Sequence, residues 1–90
     1  MTAATAGVLE EVRRERQRQQ LKWGEQNLEP AVWLMIVGEE VGEANNAALE
    51  HLLGNQADLR HYREELLQVA AAAVNAIESL DRQEASSRPT

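Results

Sequence analysis

Residues 30–54 read "PAVWLMIVGEEVGEANNAALEHLLG", a stretch that opens on proline, closes on glycine and holds apolar residues at helical spacing in between. Proline costs nothing in the first turn of a helix, where its missing N–H would have no partner. Glycine is the residue that most readily adopts the left-handed conformation that ends one. A helix is therefore expected from Pro30 to about Leu53, with Gly54 as its cap. On the helical wheel Leu34, Val37, Gly38, Val41, Ala44, Ala48 and Leu52 form one apolar stripe, and Ile36, Glu40, Glu43 and Ala47 form a row beside it. Glu40 and Glu43 are therefore expected to face another helix, while Glu39 points further towards solvent, one turn from Glu43.

Either side of this helix the chain keeps the same character. Residues 7–22 are expected to form a first helix with Val8, Leu9 and Val12 as its apolar edge, and "WGEQNLEP" at 23–30 a loop. Beyond Gly54, Asn55 is expected to cap a third helix with Asp58 in its first turn and an end near Asp81. Its apolar arc runs from Ala72 through Val69, Leu66, Ile77 and Val74 to Leu67 and covers more than half the circumference, so one neighbour cannot bury it. The expected fold is all-α: a three-helix chain whose four-helix-bundle-like core is completed by oligomerisation, as a dimer or a tetramer. One domain is expected over 1–82, followed by a polar, disordered C-terminal tail over 83–90.

Composition agrees with this organisation. Hydrophobic residues make up 43% of the 90, yet the aromatics are only Trp23, Trp33 and Tyr62. An alanine-rich core of this kind implies close helix approach. A net charge of −6 argues against nucleic acid as a general partner. The absence of cysteine removes disulfides and thiolate metal sites. With no long apolar run, the sequence implies no membrane partner and a soluble, cytoplasmic protein. Five of the nine basic residues, Arg13, Arg14, Arg16, Arg18 and Lys22, fall in one ten-residue stretch, which suits either a solvated face or contact with phosphate.

The chemistry lies in the acidic residues. Three glutamates within five positions (Glu39, Glu40, Glu43) repel one another and lose hydration if they are even partly buried. One explanation is a solvated face, since glutamate favours helices. The other is a hard divalent cation such as Mg²⁺, which takes oxygen ligands and removes the repulsion. Glu40 and Glu43 at i, i+3 can address one ion, and Glu65 with Gln68 at i, i+3 can approach it from an antiparallel neighbour. His61 lies on the same line, in a position where a surface or capping role competes with ligation.

"EEVGE" at 39–43 followed by "EELLQVAAAAVN" at 64–75 resembles the MazG-like family of all-α nucleotide pyrophosphohydrolases, whose signature is E-E-x-x-E, then E-x-x-D with an Asn seven residues on. "RQQLKWGEQN" at 18–27 is similar to the segment that leads into the metal helix in short members. The likeness spans residues 12–80. It implies a Mg²⁺-dependent enzyme, with Mn²⁺ as a substitute, that cleaves a nucleoside triphosphate between its α and β phosphates. Glu40, Glu43 and Glu65 would hold metal, Glu39 would reach a second ion or orient the attacking water, and Asn75 would contact the nucleotide. House-cleaning of the nucleotide pool is the implied role. Lys22, Arg16 and Arg63 are candidates for the phosphate oxygens, and Trp23 or Trp33 for stacking on the base, each being equally suited to the core. The chain departs from the signature at Gln68, where the family has Asp: an amide oxygen can bind a hard cation, but with one charge less. That departure leaves an alternative, a catalytically degenerate helical module that binds nucleotide or another protein.

Overall fold

A computed structural model describes residues 1–87 as three helices, α1 (Ala3–Trp23), α2 (Pro30–Leu52) and α3 (Arg60–Ser87), with no strand among the described residues. Local chemistry sets their ends. Thr2 caps α1 by accepting the Thr5 N–H at 3.1 Å, which starts the helix four residues before the expected Gly7. Gly24, at φ 71°, closes α1 by donating to the Gln20 carbonyl. Pro30 opens α2 as expected, and Gly54 follows its end at φ 83°.

Asn55 does not cap α3. Its N–H returns to the Glu50 carbonyl at 2.9 Å and its amide donates to the Glu50 side chain, so it finishes α2. α3 instead begins at Arg60, whose N–H is accepted by Asp58 Oδ1 at 3.0 Å. At the far end α3 continues through residues 83–87, part of the expected tail, while 88–90 lie outside the described residues. The extension has a cause: Gln83 donates to the Leu28 carbonyl at 2.9 Å and Arg82 to the Gln26 carbonyl at 3.1 Å, tying the last turns to the loop between α1 and α2.

α3 is the central helix, with α2 antiparallel along one side and α1 along the other; α1 and α2 do not approach each other. Ala44 and Ala47 of α2 are buried, as are Ala71 and Ala72 of α3, and small side chains allow the backbones to close up. Burial along α2 is uneven. Its buried side chains are Trp33, Ala44 and Ala47, whereas Leu34 and Leu52 of the apolar stripe are 73% and 79% exposed. A wheel shows that a face is apolar, and cannot show whether its own chain covers it. On α3, Ile77, Leu66 and Val74 of the broad arc are likewise exposed, and Asn75 and Ser79 are buried in their place. No helix among the described residues is long and apolar enough to cross a membrane.

Candidate active site

Close packing of α2 on α3 brings Glu40, Glu43 and Glu65 together: one carboxylate oxygen from each lies within 4.8 Å of the others. Glu40 and Glu65 are partly buried and Glu43 is exposed. Burial, followed by the charges of Glu43, Glu39 and Glu15, raises the pKa of Glu40. Burial, followed by the adjoining Glu43 carboxyl, raises that of Glu65, and His61 partly offsets this. Glu65 Oε2 is buried with no partner. A buried acceptor in that condition costs about 1–3 kcal/mol, more when charged. Clustered, unsatisfied oxygen donors from two helices fit Mg²⁺, which would satisfy the orphan oxygen and neutralise the repulsion.

Two hollows flank the cluster. Outward lies an open depression of about 550 Å³ bordered by Glu39, Glu43, Asn46, His61 and Glu65. His61 Nε2 stands 3.8 Å from Glu65 and Nδ1 the same distance from Glu64, so the ring reaches the edge of the cluster. Inward, behind Glu40, a cavity of about 190 Å³ is framed by α1, the α1–α2 loop, α2 and α3. Trp23, Trp33, Gln68 and Asn75 line it, with Gln19 and Gln26. Glu40 is thus shared between the acidic cluster and the cavity wall.

The other candidates are distributed as follows. Gln68 turns its amide towards α1, with Nε2 donating to Glu15 at 2.7 Å and Oε1 accepting from Gln19 Nε2 at 3.5 Å. Asn75 is buried on the cavity wall and donates to Gln26 at 3.4 Å. Lys22 extends its ammonium over the half-exposed ring of Trp23, 4.8 Å from the centroid. Arg16 is not brought to the cluster: it is buried against Glu78 at 2.6 Å and lines a different groove, between α1 and α3. Arg63 pairs with Glu11. Arg13 and Arg14 pair with Glu10, and Arg18 with Glu15, so four of the five basic residues in the early run have acidic partners within the chain.

Glu15, Gln19 and Gln26 were not singled out in the sequence. A signal existed, because Val12, Arg16, Gln19 and Trp23 repeat at i, i+4, i+7, i+11 and the first three are buried in α1. It was hidden because this inward face is largely polar, and an apolar periodicity does not find it. Compared with protein-family models, curated proteins and solved structures, the chain matches none.

Proposed function

We propose that the protein is a Mg²⁺-dependent nucleoside triphosphate pyrophosphohydrolase of the MazG-like kind, releasing pyrophosphate and the nucleoside monophosphate. The observation that carries this reading is the meeting of Glu40, Glu43 and Glu65 from two helices between an open depression and an aromatic-lined cavity. Glu40, Glu43 and Glu65 would hold the metal, which when bound polarises the phosphate and lowers the pKa of water. In this reading the open depression receives the phosphates. Glu39 at its rim orients water or extends the acidic set, and His61 can share a proton there. The cavity beyond Glu40 takes the nucleoside, with Trp23 at its mouth and Asn75 on its wall.

The reading includes a homo-oligomer. Leu34, Val37, Ala73, Ile77 and Leu80 line an apolar groove of about 320 Å³ along α2 and α3. A second copy of this pair of helices would complete a four-helix core. Gln68 favours a second reading, a module that binds nucleotide without cleaving it, since its carbonyl oxygen, the atom that could bind a cation, is turned to Gln19 on α1.

One assay separates the two: pyrophosphate release from a panel of nucleoside triphosphates with Mg²⁺ or Mn²⁺, beside Glu43→Gln. Release that requires metal and falls at least about a hundredfold in the variant, with the helices intact, supports the enzyme. Nucleotide binding without metal-dependent release supports the module.

A further inference from the structure

The side of α2 that faces away from α3 is apolar as well. Leu34, Gly38, Val41, Gly42, Asn45 and Leu49 fall on one arc at helical spacing and all are exposed. The buried side chains of the helix, Trp33, Ala44 and Ala47, lie on the opposite arc. α1 packs on α3 and leaves the exposed arc uncovered. None of its six residues is charged, although charged residues make up 27% of the chain, and a contiguous exposed surface of this kind marks an interaction site.

The two glycines at its centre serve no purpose within the chain. A Cβ on Gly38 or Gly42 would meet no atom within 4 Å beyond its own stretch of helix, and neither residue has a positive φ. Glycine in a helix interior lowers stability relative to alanine, so nothing in a single chain favours it at either position. Glycines four residues apart do permit the close approach of a second helix, backbone against backbone. The arc is also symmetric along the helix: about a point between Val41 and Gly42, Leu34 mirrors Leu49 and Gly38 mirrors Asn45. Such a face can pair with a copy of itself run antiparallel, the contact that a two-fold axis generates.

We propose that α2 pairs antiparallel with α2 of a second copy, about a two-fold axis at Val41 and Gly42, with the backbones closest at the glycines. Leu34 then packs on the partner's Leu49. Asn45 lies against the partner's Gly38, where the missing side chain leaves room for the amide, and a single polar residue in an apolar seam fixes register. Area points to a second copy as the occupant. The accessible surface is 6557 Å² against about 5,200 Å² for a compact chain of this mass, an excess larger than the roughly 800 Å² that one partner gives to a stable interface. Leu34 also lines the groove between α2 and α3, so one partner covers both surfaces. The inference rests on the homo-oligomer proposed above and names its central contact.

The test is sedimentation equilibrium of the parent and of Gly38→Leu, with helical content read by circular dichroism. Gly42 also borders the open depression and Gly38 does not, so Gly38 is the cleaner position. Leucine is the better helix former and adds apolar area. A face that associates through apolarity alone would therefore hold its partner as tightly or more tightly. Close backbone approach predicts the opposite, a dissociation constant at least about tenfold higher at unchanged helicity. Association unchanged or tightened in Gly38→Leu overturns the inference and leaves the homo-oligomer standing. A parent that is monomeric at every concentration removes the homo-oligomer and the inference with it. If Gly38→Leu does not fold, register decides. The chain has no cysteine, and Leu34→Cys mixed with Leu49→Cys and oxidised is expected to give chiefly the mixed disulfide dimer; disulfides mainly between identical variants, or none, overturn the inference.

Discussion

Glu65 sits where two demands oppose each other, because the packing that buries its carboxylate also brings the charges of Glu40 and Glu43 against it. Its pKa and that of Glu40 are raised by folding, so both groups bind protons more readily in the native state. Their contribution to stability is present below the ordinary carboxylate value and is lost as pH rises through the raised values. Glu10, held down to about 2 beside Arg13, acts in the opposite sense, as do Glu11, Glu15 and Asp58: their contribution is present at neutral pH and is lost on acidification. In the absence of metal, Glu65→Gln is therefore expected to raise the Tm by a few degrees at pH 7.5 and to leave it unchanged at pH 4.5. Identical melting of parent and variant at pH 7.5 would mean that the three carboxylates are hydrated and apart. Mg²⁺ acts on the same group. At a hundred times its Kd an ion that binds only the folded chain adds about 2.7 kcal/mol, a shift of about 10 °C or more in a domain of this size. That shift should largely disappear in Glu43→Gln, as read by melting curves at matched ionic strength.

Among the helices, the ends of α3 explain most of how the site is framed. The loop between α1 and α2 carries Gln26 to the cavity, and it is held by Arg82 and Gln83 from the last turns of α3. Gln83→Ala removes the donor to the Leu28 carbonyl and is expected to cost about 1 kcal/mol in urea unfolding. Amide exchange should accelerate in residues 24–29 and stay unchanged in the middle of α2; an unaltered loop would show that Pro30 and Gly24 hold it unaided. These particulars also mark what the sequence made legible. Pro30 and Gly54 bounded α2 because backbone constraints act locally, and E-E-x-x-E with Glu65 pointed to a shared site because i, i+3 spacing survives any packing arrangement. The polar inner face of α1 was not legible, since burial of Gln19 depends on partners from a distant segment. Nor was the helical stretch 83–87, since "QEASS" is polar and gains its order from a carbonyl more than fifty residues upstream.

For the molecule as a whole, extent and surface both exceed those of a compact chain of this length. A compact chain of 90 residues has a radius of gyration of about 12 Å, whereas this one measures 15.5 Å and extends 57 Å along its longest axis. Its accessible surface is 6557 Å², against about 5,200 Å² for a compact monomer of this mass. The excess exceeds the roughly 800 Å² that one partner contributes to a stable interface. Leu34, Met35, Ile77 and Leu80 supply exposed apolar area on α2 and α3, and the first, third and fourth line one groove. Ile77→Glu places a charge in that groove on a residue 59% exposed in the single chain, so the chain's own packing should tolerate it. The parent is expected to sediment as a dimer or larger species, and Ile77→Glu to shift it to monomer with a lower, concentration-independent Tm. A parent that sediments as a monomer would mean that the apolar face meets a different partner. The same experiment bears on the site. The groove and the aromatic-lined cavity share Trp33 as a common wall, so exposing one face of that wall to water should loosen the other. Monomeric Ile77→Glu should consequently bind nucleotide more weakly while Glu40, Glu43 and Glu65 are all retained.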